Sequence, residues 1–286
     1  MKKVFLLVLA LLLVSCPLFL TSCLVDEVQC IDIRLTSEQY AFALNKEDTE
    51  ILEAVNNVLD KITKDGTLEA IKDKYFSENE SEYIRVTPGV ENPTKKQLIV
   101  ATHTPFHPFE FSKYETGHGK LYSGIDIEIA YLVAQELEAE LIIKERPFET
   151  ILDDIESGLA HIAASGISIT ESRQEKVTFS LPYYEASQVI IVRATDNTFR
   201  QCKTKADVEA VLAQKGADTV AGFQNNTTSG LYITGDENLG FNGYAITPKG
   251  YASAILATQA LINGEVQMVI VDERHAKIIV SDINYN

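Results

Sequence analysis

Two charged residues of opposite sign occur where a protein can present them to a small ligand. Arg173 carries a planar guanidinium, which forms two parallel hydrogen bonds to a carboxylate in a way that lysine does not reproduce. Asp272 directly follows the apolar run 268–271, so it lies at the carboxyl end of a predicted strand, where α/β sheets bind ligands. The pair predicts a site with one positive and one negative pole.

A second feature is the pair Thr227 and Thr228, which follows the predicted strand 219–224. At the start of a helix these residues would present hydroxyl groups and backbone amides, an arrangement that favours an anion. Asn226 precedes them, and asparagine tolerates a left-handed backbone better than most residues do. The loop is therefore a candidate for part of the same site.

Each of these features also has an ordinary structural explanation. Arg173 would be a surface residue if it paired with Glu171 or Glu175. Asp272 would be a helix N-cap, which is a very common role for aspartate, and one side chain could not easily do both. Threonine after a strand is often only a cap as well.

Alternating strands and helices would position these residues. The expected strands are 97–102, 139–144, 159–164, 183–193, 219–224 and 267–271, and the expected helices are 125–137, 151–155, 206–214, 249–262 and 272–280. This alternation predicts βαβ units and a mainly parallel sheet. A break at 196–198 divides the pattern into two α/β lobes. Before residue 97, a short strand at 40–44, an amphipathic helix at 51–62 and a short helix at 68–75 precede a polar linker, 77–96.

Composition excludes several classes of protein. The 286 residues include 25 basic and 41 acidic side chains, a net charge of −16, which argues against binding nucleic acid. Hydrophobic residues make up 45% and charged residues 23%, which is ordinary for a folded protein and unlike a disordered chain. The 4 cysteines are too few for a disulfide scaffold, and their spacing does not match a structural zinc site.

The amino terminus reads as a lipoprotein signal peptide, residues 1–22. Lys2 and Lys3 precede an apolar run, 4–20, which ends in the lipobox-like sequence Leu-Thr-Ser before Cys23. Cys16 follows a similar but earlier sequence, and a transmembrane anchor is the competing interpretation of the run. Cleavage before Cys23 would change the net charge from −16 to −18.

Acyl chains on Cys23 would hold the protein at the surface of a membrane rather than across it. In an oxidising envelope the remaining cysteines, Cys30 and Cys202, would either form a disulfide or stay as two independent thiols. The sequence leaves both possibilities open.

Several longer stretches resemble one known family, the bacterial extracellular solute-binding proteins of family 3, which capture amino acids for ABC importers. The matching stretches are ATHTPFHPFEF at 101–111, GIDIEIA at 124–130, ASGISITESRQEKVTFS at 164–180, PYYEASQVIIV at 182–192, TVAGFQNNTTS at 219–229 and MVIVDE at 268–273. The resemblance implies an α/β, two-lobed, periplasmic-binding-protein-like (type II) fold with a ligand cleft between the lobes.

The resemblance also implies roles for individual residues. Arg173 would bind the ligand carboxylate and Asp272 the ammonium, and Phe106 and Phe148 would sandwich the side chain, although core packing is their ordinary alternative. The other matching positions are Gly166, Ser168, Gln224, Thr227 and Thr228. His103 departs from the family pattern, because relatives that bind glutamine or basic amino acids have aspartate there. A neutral imidazole suits an amide, so we expect a polar uncharged ligand, glutamine first.

The order of the matching segments is unusual. The text at 40–76, YAFALNKEDTEILEAVNNVLDKITKDGTLEAIKDKYF, resembles the carboxyl-terminal end of the family but stands in front of everything else. The simplest explanation is a circular permutation, in which 77–96 joins the old ends. The alternative is a truncated tandem duplication, although no other segment occurs twice. The expected domains are lobe 1 at 38–192, lobe 2 at 26–37 plus 197–286, and a hinge at 193–196.

The expected function is capture of a free amino acid and its delivery to an ABC permease, by a monomer anchored on the outer side of a bacterial membrane. A ligand-sensing receptor subunit is the alternative. The family fold also hosts dehydratases and lytic enzymes, but no length remains for a lytic domain. His103 and Glu110 lie in no catalytic motif. We expect neither catalysis nor a cofactor or metal.

Overall fold

The computed structural model describes residues 28–77, 96–117 and 119–285. The expected signal peptide, Cys23, Cys16 and most of the expected linker lie outside these residues. The strands are β1 (Val28–Ile31), β2 (Glu38–Tyr40), β3 (Ala43–Leu44), β4 (Gln97–Thr102), β5 (Phe111–Glu115), β6 (Gly119–Ser123), β7 (Glu140–Glu145), β8 (Ile162–Ala163), β9 (Thr178–Phe179), β10 (Tyr184–Ala186), β11 (Gln188–Arg193), β12 (Val220–Gln224), β13 (Thr247–Tyr251) and β14 (Met268–Asp272).

Helices cover the faces of the sheets that these strands form. They are α1 (Thr49–Lys64), α2 (Thr67–Phe76), α3 (Ile125–Glu136), α4 (Ile151–Glu156), α5 (Glu171–Lys176), α6 (Lys205–Leu212), α7 (Thr228–Thr234), α8 (Ala254–Ile262) and α9 (Glu273–Tyr285). A short 3₁₀ turn, Phe148–Thr150, leads into α4. No helix within the described parts of the chain combines the length and the apolarity that crossing a membrane requires.

The first lobe is built on a five-stranded sheet in the order β7-β4-β8-β3-β9. Side chains alternate between its faces, so Leu98 and Val100 pack toward α1, α2 and α3, whereas Ala101 packs toward Ile151 of α4. The amphipathic stripe of α1 faces the first of these cores, as the sequence predicts. Burying one such aliphatic side chain contributes about 2 kcal/mol.

The second lobe is built on another five-stranded sheet, in the order β1-β11-β14-β12-β13. Alternate residues of β11 face opposite cores. Val189 and Ile191 pack with α8 and α9, and Ile190 and Val192 pack with α6 and α7. This lobe therefore has helices on both faces of its sheet, which is the layer arrangement of α/β folds.

The sheet pairing corrects the expected boundary between the lobes. Residues 188–192 were expected in lobe 1, but β11 pairs with β1 and β14 in the second sheet. The chain crosses between the lobes before β11, where β2 and β10 form a two-stranded antiparallel ribbon. The hinge predicted at 193–196 thus lies beyond the crossing.

Two other expectations also change. Each sheet contains two parallel and two antiparallel pairings, so the sheets are mixed rather than mainly parallel. The helix expected at 249–262 begins only at Ala254, because Thr247–Tyr251 pairs with β12 as the parallel edge strand β13. Ser253 caps the shortened helix by accepting a hydrogen bond from the amide of Leu256.

The two described cysteines do not form a disulfide. Cys30 and Cys202 are both free thiols. Cys30 packs against the core on the α8–α9 side of the second sheet, and Cys202 packs against the core on the opposite side. A sheet between them prevents the approach of the two Cα atoms that a disulfide needs. Burial raises the pKa of the Cys30 thiol to about 12, so this thiol is unreactive at neutral pH.

Candidate functional site

A cavity where the two lobes meet is lined by all ten residues that the sequence analysis expected to bind a ligand. It encloses about 500 Å³ of empty space, including its opening to solvent. The predicted residues in its wall are His103, Phe106, Phe148, Gly166, Ser168, Arg173, Gln224, Thr227, Thr228 and Asp272. Both lobes contribute to the wall, because the first six of these residues belong to the first lobe and the last four to the second.

The position of Arg173 follows from the way its helix begins. Thr170 caps α5, since its hydroxyl oxygen accepts a hydrogen bond from the backbone amide of Arg173. The guanidinium donates to the carbonyl of Ser168 at 2.7 Å and, across the cleft, to the carbonyl of Asn226 at 2.9 Å. Within the described residues it forms no ion pair with a carboxylate. Arg173 therefore keeps donors and a charge for an anion in the cavity.

Asp272 caps a helix and also lies in the cavity wall, so the cap does not exclude the expected role in the site. Its Oδ1 accepts the backbone amides of Arg274 and His275, which caps the start of α9. Its Oδ2 accepts the hydroxyl of Tyr40 at 2.8 Å. The carboxylate divides its oxygens between the two tasks, so capping fixes the side chain without removing it from the cavity wall.

The loop before α7 adopts the backbone that its asparagine permits. Asn226 has φ 59°, in the left-handed region, and its carbonyl is thereby turned toward Arg173. Thr227 does not cap α7 with its side chain, because its hydroxyl donates to the carbonyl of Gln224 at 2.7 Å. The amides of the first turn of α7 are therefore not satisfied by this cap.

Gly166 is required by close packing as well as by its backbone. Its φ is +50°, and an added Cβ would lie 2.4 Å from the ring of Phe106. Its amide donates to the buried carboxyl of Asp126 at 2.9 Å. Phe106 stacks on Phe109 with ring centroids 5.2 Å apart, so the ring that faces the cavity also belongs to the core of the first lobe.

His103 presents one unpaired nitrogen. Its Nδ1 lies 2.9 Å from the carbonyl oxygen of Arg146, and a carbonyl only accepts, so Nδ1 carries the hydrogen. Nε2 of the neutral ring is then an acceptor, and it is buried without a partner among the described residues. The ring contacts that of Phe148 edge to face at 6.3 Å. A ligand atom that reached this nitrogen would therefore have to be a hydrogen-bond donor.

A carboxylate that the sequence analysis did not identify joins the two lobes. Glu38 is only 7% exposed and lies on the crossing strand β2. Its Oε2 accepts the hydroxyls of Ser168 at 2.6 Å, from the first lobe, and Thr228 at 2.7 Å, from the second. Its Oε1 accepts Thr36 at 2.6 Å and the amide nitrogen of Gln188 at 3.2 Å. The hydroxyl hydrogens of Ser168 and Thr228 are therefore used in bonds to Glu38 and are not available to a ligand.

Other unpredicted residues complete the wall. They are Tyr40, Glu110, Ser165, Gln188, Ser229, Ala254, Ile270 and Val271. Tyr40 and Glu38 are two residues apart in β2, so strand alternation places both side chains on the same face. The sequence offers no such pattern for the other residues, since their position in the wall depends on how the two lobes meet.

Three buried carboxyl groups dominate the electrostatics. Burial raises the pKa of Asp272 to about 7, and the hydrogen bond from Tyr40 opposes the shift. Burial also raises the pKa of Asp126 to about 7 and the pKa of Glu110 well above its ordinary value. Arg173 is the cation of the same wall, and burial lowers its pKa without threatening its charge.

The chain matches known proteins in sequence and in structure. The profile of the bacterial extracellular solute-binding proteins, family 3, matches residues 13–78 and 98–231. An arginine-binding periplasmic protein of Mannheimia haemolytica is 27% identical over 62% of this chain and 63% of its own length. A cyclohexadienyl dehydratase of Pseudomonas aeruginosa is 30% identical over 41% of this chain and 42% of its own length.

A solved structure of an ancestral arginine-binding protein bound to glutamine is 27% identical, with a TM-score of 0.52, over 66% of this chain and 75% of that chain. The chain thus spans less than two thirds of both curated relatives, 63% and 42% of their lengths. The family profile, in contrast, covers more than half of this chain, and the neighbouring structure has the two-lobed fold of type II periplasmic binding proteins. The chain therefore belongs to the bacterial extracellular solute-binding proteins of family 3.

Proposed function

We propose that this protein binds a free amino acid in the cavity between its lobes and delivers it to an ABC-type importer. One observation carries the proposal: the guanidinium of Arg173 and the carboxylate of Asp272, contributed by different lobes, line one cavity. A free amino acid has a carboxylate and an ammonium on the same carbon, so it presents complementary charges to both. Bringing the lobes together would exclude water and strengthen each contact.

The ligand carboxylate would bind Arg173, which is unpaired with any described carboxylate, and the ammonium would bind Asp272. The commitment of Ser168 and Thr228 to Glu38 refines the role we expected for their hydroxyls. Because their hydrogens already point to Glu38, neither hydroxyl would donate to the ligand carboxylate. The oxygen of Thr228 also accepts the side-chain amide of Gln188 at 3.4 Å, so the oxygen of Ser168 is the one that would accept from the ammonium. Gly166, Gln224 and Thr227 complete the proposed site.

His103 favours a ligand whose side chain ends in a hydrogen-bond donor. Its Nε2 is an unpaired buried acceptor, and an acceptor of this kind costs free energy until a donor reaches it. The amide of glutamine supplies an N–H, whereas the carboxylate of glutamate does not. A polar uncharged amino acid, glutamine first, therefore fits the proposed site best, with Phe106 and Phe148 on either side of its methylene groups.

A dehydratase activity is the second candidate. Glu110 is a buried acid in the cavity wall, and burial raises its pKa well above the ordinary value, as a general acid near a carboxylate-binding arginine would require. A relative that shares 30% identity is a cyclohexadienyl dehydratase. Incubation with a cyclohexadienyl acid, followed by its ultraviolet absorbance, tests this candidate directly. We rank it second because the match to the dehydratase covers only 41% of this chain.

Membrane attachment through Cys23 is part of the proposal, although this residue lies outside the described residues. The lipobox-like sequence before Cys23 supports it, and mass spectrometry of the native amino terminus separates Cys23 from Cys16. We propose a monomer that works on the outer side of a bacterial membrane, with an ABC permease as its partner. A ligand-sensing role would use the same cavity.

We also propose that the chain is a circular permutation of the family order. The segment 40–76 packs beside the sheet that begins at Gln97, since β3 pairs with β8 and β9 and Lys96 forms an ion pair with Glu50 at 2.8 Å. The first and last described elements also touch, because the side chain of Asn284 makes two hydrogen bonds, of 3.2 and 2.9 Å, to the backbone of Val28. The family match in two separate stretches supports the same proposal.

Replacement of Arg173 tests amino-acid binding. In a thermal-shift screen of the twenty amino acids, the ligand should raise the melting temperature of the wild-type protein. At a ligand concentration of 100 times Kd, binding adds about 2.7 kcal/mol to the free energy of unfolding. Arg173→Ala should weaken binding by at least about 100-fold, because removing one partner of a buried charge pair costs about 3 kcal/mol or more.

Arg200→Ala removes an exposed arginine of the second lobe and is the matched control, so it should retain the full shift. Circular dichroism should show both variants folded. Equal ligand shifts in wild-type protein and Arg173→Ala would contradict the proposed site, and no shift with any amino acid would contradict the function.

Substitution of His103 tests the ligand class. In calorimetry the wild-type protein should prefer glutamine to both arginine and glutamate. His103→Asp places a carboxylate at this end of the cavity, so affinity for arginine should rise by about tenfold or more relative to glutamine. His103→Ala removes the imidazole without adding charge and should lose the preference without gaining arginine. Tighter binding of glutamate than of glutamine by the wild-type protein would refute the assignment.

A rearranged chain tests the permutation. It would run from Lys96 to Tyr285, continue directly into Val28 through a short flexible link, and end at Ser77. Because the joined ends touch, this chain should fold with a melting temperature within about 5 °C of the original and with the same ligand preference. A chain reopened inside α1, between Asn56 and Asn57, is the control that should not fold. Failure of the first chain alone to fold would count against the permutation.

A further inference from the structure

Glu110 presents a buried oxygen that nothing in the described protein satisfies. The residue is 0% exposed, and it lines the cavity from a tight turn in which Phe106 and Glu110 exchange two backbone hydrogen bonds of 2.7 and 3.0 Å. Its Oε1 accepts the hydroxyl of Ser165 at 2.5 Å, whereas Oε2 is buried without a partner. Buried polar atoms are nearly always paired, so this oxygen requires an explanation.

The groups around Glu110 make an ionised carboxylate costly in the empty cavity. Asp126 in α3 and Asp272 at the end of β14 are its buried acidic neighbours, and the hydroxyl of Tyr183 donates to Asp126 at 2.6 Å. Other titratable groups of the wall are Arg173, His103 and Tyr40, and His275 packs against Phe106. A single hydroxyl does not offset the burial of a third negative charge, so Glu110 keeps its proton.

The ligand of the proposed function would change this balance. An ammonium has three N–H groups and needs three acceptors. Asp272 uses Oδ1 for two amides in the cap of α9 and part of Oδ2 for Tyr40, so together with the oxygen of Ser168 it offers two. The unpaired Oε2 of Glu110 is an additional acceptor in the same wall. An ammonium beside it would favour the ionised carboxylate and offset the repulsion from the other two acids.

We propose that Glu110 contacts the ammonium of the bound amino acid through Oε2, and that its proton passes to solvent as the ligand enters. Before binding, Oε2 carries the hydrogen; afterwards, an N–H of the ligand donates to the same oxygen. Glu110 loses one proton for each ligand bound, and Asp272, whose pKa is about 7 before binding, contributes a further fraction of a proton at pH 7. The inference rests on the proposed function, and it makes amino-acid capture a proton-releasing reaction.

Calorimetry in two buffers measures the released protons. L-glutamine, or the amino acid with the largest thermal shift, would be titrated at pH 7 in phosphate and in Tris, whose ionisation enthalpies differ strongly. The heat difference divided by that enthalpy difference gives the protons released. We expect at least about one for the wild-type protein, and a Kd that falls by at least about tenfold from pH 6 to pH 7, because linkage equates the slope with the protons released.

Glu110→Gln keeps the shape and carries no titratable proton, so it should still bind the amino acid while releasing less than about half as many protons. Glu140→Gln is the matched control, because Glu140 also has a buried oxygen without a partner but lies outside the cavity wall. It should release as many protons as the wild-type protein.

The outcomes distinguish the role of Glu110 from amino-acid binding itself. Binding by the wild-type protein without a buffer-dependent heat would overturn the proton release and leave amino-acid binding intact. An unchanged release in Glu110→Gln would assign it to Asp126 or Asp272 and overturn the role of Glu110. Absence of binding by the wild-type protein to every amino acid would instead refute the proposed function.

Discussion

The carboxylate of Glu38 is the constraint on which the arrangement of the site depends. It lies buried on the strand that crosses between the lobes, and it accepts one hydroxyl from each lobe, that of Ser168 and that of Thr228. A buried carboxyl group needs hydrogen-bond partners, and Glu38 finds them only while the lobes lie together. The same contacts occupy the hydrogens of both hydroxyls.

Several buried acidic side chains and one arginine determine the electrostatics of the cavity and its surroundings. Asp272, Asp126 and Glu110 all have raised pKa values because burial penalises their charged forms. Arg173, in contrast, cannot lose its charge in a protein. Its guanidinium has no carboxylate partner among the described residues, so an anion in the cavity would be stabilised beside it. A zwitterion, which carries both charges, would satisfy the cation and the acids together, as the proposed function requires.

Much of the candidate site was accessible from the sequence. Asp272 and the Thr227 loop follow predicted strands, Arg173 lies in a stretch that resembles the family, and the structure places all three in one wall. The membership of β11 in the second sheet was not accessible, because an apolar run does not specify its partner strand. The edge strand β13 was missed for a related reason: its sequence, TPKGY, is polar and contains proline and glycine. Glu38 and Glu110 look like surface carboxylates until their donors and neighbours are known.

The edge position of β1 determines which half of the molecule a lipid would restrain. Cys23 precedes Val28 by 5 residues, and a chain of that length spans at most about 18 Å. Acyl groups on Cys23 would therefore tether the lobe that contains β1, with α9 and Asn284 beside the attachment point. In the family order the leading residues would enter β4 and tether the other lobe instead. With the proposed permutation and lipidation, the second lobe would be held at the bilayer, and the first lobe would move when the cleft opens.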